Sequence, residues 1–165
     1  MSYMKKTFKL ILWFLVLLMV ASVTYIFIHW VPDRSVDDLK AKWAKSPSQF
    51  ISVSGMQIHL RDEGLRSDKT PIVLLHGTSA SLHTWDGWVE ALKGQRRVIR
   101  FDLPGFGLTG PDANNDYRVE NYARTVMAVL DHLKVERSVI VGNSLGGHIA
   151  WFTALMNPSR FDGLV

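Results

Sequence analysis

The chain of 165 residues contains no cysteine, which excludes disulfide bonds, a thiol nucleophile and any cysteine-ligated metal site. Internal repeats and low-complexity tracts are absent as well, and the length suffices for one domain. Beyond the N-terminus there is no run of Lys or Arg and no stripe of basic and aromatic residues. We therefore expect no nucleic-acid partner.

The positive net charge of +4 comes from one end of the chain. Residues 1–9 form a basic flank that contains Lys5, Lys6 and Lys9. Without these three lysines, sixteen basic residues face fifteen acidic ones. The basic isoelectric point is therefore a property of the flank and indicates nothing about the rest of the chain.

An apolar run at residues 10–32 contains no Asp, Glu, Lys or Arg. As a helix it would extend roughly 34 Å, enough to cross a hydrocarbon core of about 30 Å. We predict a membrane-spanning helix over 10–32, with the lipid bilayer as its partner. The alternative is a cleavable secretory signal, but such apolar regions are shorter and no small-residue cleavage site ends this one.

The lysines of the flank favour a cytoplasmic N-terminus, with the remaining chain on the exported side as a single-pass membrane protein. Residues 33–48 are predicted to form a linker that contains a short helix. Ser35 is placed to cap that helix and Pro47 to stop the chain from continuing it. The apolar face of this helix is expected to pack on the domain or on the membrane surface.

Residues 49–165 have the pattern of an α/β domain. "QFISVSG" and "MQIHLRDEG" predict an antiparallel hairpin, with His59 on its solvated face. Continuous apolar runs then alternate with helical patterns: the strands are "PIVLLHG", "RRVIRFDL", "SVIVGN" and the beginning "DGLV", and the helices are "WDGWVEALKG", "DYRVENYARTVMAVLDHLKV" and "SLGGHIAWFTALMN". This order predicts a mostly parallel sheet covered on both faces.

The stretch "VIVGNSLGGHIAW" places Ser144 between a buried strand and a helix. A serine hydroxyl is a poor nucleophile unless a base can reach it and N–H donors face the developing oxyanion. A sharp turn from strand to helix provides both, and it requires small residues two positions before and after the serine. Gly142 and Gly146 meet that requirement, so Ser144 is a candidate nucleophile.

Three segments together resemble the α/β-hydrolase fold family, over about residues 51–165. They are "VLLHGTSASLHTWDGW", "RVIRFDLPGFGLTGP" and "VIVGNSLGGHIA", in that family's order. The resemblance implies that Ser144 is the catalytic nucleophile, that the backbone N–H groups of Thr78 and Leu145 form the oxyanion hole, and that no metal or cofactor takes part. Branches with aspartate at the elbow, the haloalkane dehalogenases and epoxide hydrolases, are disfavoured by Ser144.

The acid and histidine of the family's triad follow later strands, so the resemblance places both beyond Val165 and this chain as the N-terminal portion of a longer enzyme. The implied reaction is hydrolysis of a small substrate, with an apolar ester as the first expectation. Serine-dependent C–C bond hydrolases and cofactor-free haloperoxidases share the same elbow. The alternative from another class is a non-catalytic, membrane-tethered binding protein of this fold.

Other chemistry-bearing side chains are given structural roles. His76 is expected to brace the loop that carries Thr78, and Asp102 to bind the backbone of its own turn. His29, His83, His132 and His148 are not expected to act as the general base, because none comes with a carboxylate placed to orient it.

Overall fold

The computed structural model describes residues 2–32 and 34–165 and separates into two compact units, Met1–Arg34 and Ser35–Val165. Met1 and Asp33, the first residues of the predicted flank and linker, lie outside the described residues.

The first unit is one long helix, α1 (Ser2–Ile28). The helix begins before the predicted apolar run and includes the three lysines, which are good helix formers. It ends at Ile28, four residues before the predicted limit at Pro32. Its segment Lys5–Ile28 is long and apolar enough to cross a membrane, and its side chains are exposed.

The second unit contains a six-stranded sheet in the order β1-β2-β4-β3-β5-β6. Its strands are β1 (Gln49–Val53), β2 (Met56–Gly64), β3 (Ile72–Leu75), β4 (Arg97–Phe101), β5 (Ser138–Gly142) and β6 (Phe161–Leu164). Its helices are α2 (Val36–Trp43), α3 (Asp86–Leu92), α4 (Val119–His132) and α5 (Leu145–Met156). β1, β2 and β4 pair antiparallel, and the pairs from β4 to β6 are parallel. The predicted α/β architecture is confirmed.

Helices cover both faces of this sheet, as the uninterrupted apolar strands predict. On one face α4 and α5 pack against the larger cluster of buried side chains, with Val126, Val129 and Ile149 fully buried. On the other face α3 contributes Val89 to a smaller cluster with Trp85. The carboxyl ends of β3, β4 and β5 therefore meet at one edge, which is where sites form in such sheets.

The predicted linker helix is present as α2. The Ser35 hydroxyl accepts a hydrogen bond from the Asp38 N–H at 3.2 Å, which is the predicted N-cap. Leu39 and Trp43 line a cavity of about 190 Å³ together with Ser81, His83, Asp102, Gly107 and Leu108. The apolar face of α2 thus packs on the domain.

The prediction for His59 is wrong, because its side chain is fully buried. β2 lies between β1 and β4, and its second face is covered rather than solvated. The ring of Phe50 stacks on His59 with 5.0 Å between centroids, and the ring of His83 lies 6.2 Å away. Of the other polar residues on this face of β2, Gln57 is exposed and Arg61 and Glu63 are half-buried.

Candidate active site

Ser144 lies on the turn between β5 and α5, the position that the sequence predicts. Its backbone has φ 53° and ψ −116°, in the left-handed range of φ that residues other than glycine rarely adopt. Such strain persists only where the surrounding structure fixes it. The Ser144 side chain is exposed at the mouth of the turn, where an incoming molecule can reach its hydroxyl.

The two glycines of the motif are required by close backbone contacts. A methyl group on Gly142 would overlap the carbonyl of Gly146. A methyl group on Gly146 would lie 2.5 Å from the carbonyl oxygen of His76 and closer still to that of Leu75. These approaches are far inside van der Waals distance, so the turn can form only with glycine at both positions.

Residues 77–82, which we call the oxyanion loop, begin directly against this turn. A methyl group on Gly77 would lie 3.2 Å from Cβ of Ser144. Within the described part of the chain, neither the Thr78 N–H nor the Leu145 N–H donates a hydrogen bond. The Leu145 N–H also belongs to the first turn of α5, where the helix end favours negative charge.

His76 braces the loop, as predicted. Its Nδ1–H donates to the carbonyl of Gly77 at 2.8 Å, and its Nε2 accepts from the Leu103 N–H at 3.0 Å. Burial lowers the pKa of His76 below its ordinary value, partly offset by the bond to Gly77 and by the Asp102 charge. The imidazole is therefore held neutral with both nitrogens engaged, so it has no nitrogen left to act on Ser144.

Asp102 has the structural role predicted for it, with more partners than its own turn provides. Its carboxylate accepts from the N–H groups of Leu82 and Leu108, each at 2.7 Å. Burial by itself favours the protonated acid, but these bonds and the one from His59 outweigh it and hold the pKa of Asp102 below its usual value.

Within the unit Ser35–Val165, the structure pairs no histidine side chain with Ser144. Among the described residues, no imidazole nitrogen is hydrogen-bonded to the Ser144 hydroxyl. His148 lies one turn along α5 and is exposed, and His132 is exposed at the end of α4. His83 lies 3.7 Å from the carboxylate of Asp86, and its Nε2–H donates to the carbonyl of Trp43 at 3.1 Å. The turn of Ser144 thus lies against the loop that carries Thr78, and among the described residues of this unit no histidine is hydrogen-bonded to the Ser144 hydroxyl.

A second group of polar residues was missed by the sequence interpretation. His59 Nδ1 donates to Asp102 at 2.7 Å, and its Nε2 lies 2.9 Å from the hydroxyl of Ser48. These residues are 43 and 11 positions apart from His59, so no local spacing could have revealed the group. The sequence shows only a histidine in a predicted strand, and the structure shows that this strand pairs on both sides.

Comparisons with known proteins agree with this geometry. A family model described as the alpha/beta hydrolase fold matches residues 70–165. The chain is 37% identical over 126 residues to a 2-hydroxy-6-oxononadienedioate/2-hydroxy-6-oxononatrienedioate hydrolase of Cupriavidus pinatubonensis, covering 72% of this chain and 43% of the relative. It is 33% identical over 118 residues to a 2-hydroxymuconate semialdehyde hydrolase of Pseudomonas sp., covering 70% and 41%.

Solved structures give the same result. A meta-cleavage product hydrolase from Pseudomonas fluorescens superposes with a TM-score of 0.65 at 30% identity, over 70% of this chain and 43% of that one. Epoxide hydrolase A from Mycobacterium thermoresistibile superposes with a TM-score of 0.66 at 25% identity, over 71% and 37%. The chain spans less than half the length of these proteins. On the match at residues 70–165 and the glycine-flanked turn of Ser144, the chain belongs to the α/β hydrolase fold family.

Proposed function

We propose that this chain is part of a serine hydrolase in which Ser144 is the nucleophile. The observation that carries the proposal is the strained backbone of Ser144, which holds an exposed hydroxyl between the N-terminus of α5 and the oxyanion loop. A serine that merely capped a helix would need neither a positive φ nor glycine on both sides.

The proposed reaction begins when the Ser144 oxygen attacks a carbonyl carbon. The hydroxyl proton passes to a histidine, which the fold supplies from a loop after a later strand. The carbonyl electron pair moves to oxygen, where the N–H groups of Thr78 and Leu145 stabilise it. When the tetrahedral intermediate collapses, the leaving group takes the proton, and water then releases the acid and restores the serine.

Two substrate classes fit this scheme, and they differ in the bond that breaks. In an apolar ester the leaving group is an alcohol. In a 2-hydroxy-6-oxo-dienoate the serine attacks the ketone and the leaving group is a carbon atom. The C–C bond therefore breaks, and the carbon that leaves is protonated. The relatives named for 2-hydroxymuconate semialdehyde and for 2-hydroxy-6-oxononadienedioate favour the second class. C–C bond hydrolysis is therefore our second candidate, and the names of these relatives are the observation that supports it.

We also propose that α1 anchors the enzyme in a membrane as a single span. The support is the apolar segment Lys5–Ile28, its exposed side chains, and the lysines at its first end. The lysines favour a cytoplasmic N-terminus, which would place the hydrolase domain on the exported side.

The decisive experiment uses a fluorophosphonate probe, which phosphonylates an activated serine, on the full-length protein in its membranes. The wild type and Ser144→Ala are compared with Ser48→Ala, because the Ser48 hydroxyl is hydrogen-bonded to a histidine, His59. We expect complete labelling of the wild type and of Ser48→Ala at long times, and none of Ser144→Ala.

Equal labelling of the wild type and Ser144→Ala would contradict the nucleophile assignment and favour the non-catalytic binding protein. Once labelling is established, release of p-nitrophenol from short p-nitrophenyl esters is compared with loss of the dienoate absorbance of a 2-hydroxy-6-oxo-dienoate. The substrate with the larger kcat/KM identifies which of the two bonds the enzyme breaks.

A further inference from the structure

We propose that Ser48, His59 and Asp102 form a positioning chain, which ties the linker to the oxyanion loop and holds the Thr78 N–H where the oxyanion develops. The proposal rests on the proposed function of Ser144 and Thr78. In this proposal Ser48, which lies between α2 and β1, influences the rate of the reaction at Ser144 without touching the substrate.

The hydrogen-bonding atoms of this chain are joined one after another. His59 Nδ1 donates to the Asp102 carboxylate at 2.7 Å. His59 Nε2 and the Ser48 hydroxyl share a hydrogen bond at 2.9 Å, and the Ser48 oxygen also accepts from Arg61 Nε at 2.9 Å. Every polar atom of His59 and the Ser48 hydroxyl is thus used, so the imidazole orientation is fixed from the linker side.

Because His59 and Asp102 are buried, a change in the orientation of the His59 ring affects Asp102. His59 and Asp102 are 0% and 1% exposed, and Ser48, between them and the surface, is half-buried. A buried group left without its hydrogen bond destabilises the folded protein, and the surrounding groups shift to recover one. A change at Ser48 is therefore transmitted through His59 to the carboxylate of Asp102.

Asp102 holds one end of the oxyanion loop, and His76 holds the other. Asp102 Oδ1 accepts from the Leu82 N–H at 2.7 Å, and His76 donates to the Gly77 carbonyl at 2.8 Å. Between these two ties Ser79 has φ 56°, a strained conformation for serine. The strain next to Thr78 is maintained only while both ends of the loop are held.

A second contact joins the linker to the residue after this loop. His83 Nε2–H donates to the carbonyl of Trp43, the last residue of α2, at 3.1 Å, and the two rings lie 5.4 Å apart. The linker therefore reaches the same few residues through two independent hydrogen bonds, which a passive spacer would not require.

Loosening the Leu82 end of the loop should affect the transition state more than substrate binding. The Thr78 N–H faces charge that develops only as Ser144 attacks. A displaced donor therefore lowers kcat and leaves KM nearly unchanged, whereas partial unfolding lowers the concentration of active enzyme without changing kcat per active site.

The test is steady-state hydrolysis of p-nitrophenyl acetate by the full-length protein, with active sites counted by fluorophosphonate titration. The variants are Ser48→Ala, the conservative Ser48→Thr and the control Ser52→Ala, because the exposed Ser52 hydroxyl accepts from the exposed Gln57. We expect Ser48→Ala to lower kcat per titrated site about 3- to 10-fold with KM within about twofold. Ser48→Thr and Ser52→Ala should retain the wild-type values.

The proposal is overturned if Ser48→Ala keeps wild-type kcat per site, or if Ser48→Thr fails to restore it. Should the wild type itself show no Ser144-dependent turnover, the proposed function fails instead, and hydrogen exchange then decides the positioning chain alone. Ser48→Ala should speed exchange of the Leu82 amide at least about fivefold while the amides of β5 are unaffected. Unchanged exchange at Leu82 would contradict it.

Discussion

Gly146, on the first turn of α5, lies against the backbone of Leu75 at the end of β3, where the carbonyl carbon of Leu75 would be 2.6 Å from any Cβ at position 146. The start of the helix is thus packed directly on the strand that leads into the oxyanion loop. This contact fixes the turn of Ser144, the proposed nucleophile, relative to the oxyanion loop through two backbones, without intervening side chains.

Gly146→Ala should therefore destabilise the protein by about 3 kcal/mol or more, because the new methyl group meets backbone that cannot move aside. The free energy of unfolding, from denaturant titration followed by circular dichroism, measures the loss. Fluorophosphonate labelling of the remaining folded protein should also be slower, since the turn must open to admit the methyl group.

Gly87→Ala is the matched control for that substitution. Gly87 lies in the first turn of α3, and a methyl group there would meet no atom within 4 Å. Because alanine favours helices over glycine, we expect this variant to gain up to about 1 kcal/mol. A Gly146→Ala protein as stable as Gly87→Ala would mean that the close packing on β3 is absent.

Much of this architecture follows from patterns that are local in the sequence. The apolar runs of β3, β4 and β5 and the helical spacing of α4 are each visible within about fifteen residues, and Gly142 is crowded by Gly146 only four positions away. The N-cap at Ser35 is local in the same sense. The helices and strands and the glycine-flanked turn that carries Ser144 were therefore predictable.

What the sequence could not reveal depends on contacts between distant segments. His59 alternates with apolar neighbours as a solvated residue would, and only the packing of Phe50, His83 and the linker around it buries its ring. The limits of α1 were also displaced, because hydropathy marks where a membrane would begin but helix propensity decides where the helix begins.

His76 provides a prediction about stability. His76→Ala removes a fully buried ring and leaves the Gly77 carbonyl and the Leu103 N–H without partners. We expect a loss of about 3–5 kcal/mol in the free energy of unfolding. The ¹⁵N shifts of the wild-type imidazole should show the Nδ1–H tautomer at neutral pH, and a doubly protonated ring would contradict the assignment.

His148→Ala tests whether the histidine one helical turn after Ser144 acts as its general base. The His148 side chain is exposed, so its removal should change the free energy of unfolding by no more than about 0.5 kcal/mol. Labelling of Ser144 by the fluorophosphonate should proceed at the wild-type rate. A large decrease in that rate with unchanged stability would make His148 the general base and reverse our interpretation.

Asp102 predicts how stability changes in acid. Its pKa is lower in the folded protein than in the unfolded chain, because the bonds from His59, Leu82 and Leu108 outweigh the effect of burial. The unfolded chain therefore takes up the proton first as the pH falls below about 4, and the free energy of unfolding decreases there. Above about pH 5 this contribution is constant.

The comparison that checks this is the slope of unfolding free energy against pH in the wild type and in Asp102→Asn. The variant has no carboxylate to protonate at this position, so its slope between about pH 5 and pH 3 should be shallower, even though it is less stable throughout. Parallel slopes would show that Asp102 does not titrate differently in the two states.

The absence of cysteine from these 165 residues makes the membrane orientation measurable with single introduced thiols. Lys6→Cys and Lys45→Cys place one thiol on each side of the proposed span, and the Lys45 side chain is exposed. With a membrane-impermeant maleimide on intact cells, Lys45→Cys should be labelled at once and Lys6→Cys only after detergent is added. The reverse pattern would contradict the cytoplasmic N-terminus, because the lysines would then lie on the exported side. Loss of the Lys6→Cys thiol from the mature protein, with a shorter intact mass, would instead identify residues 1–32 as a cleaved signal, since only cleavage removes that position while leaving Lys45 in place.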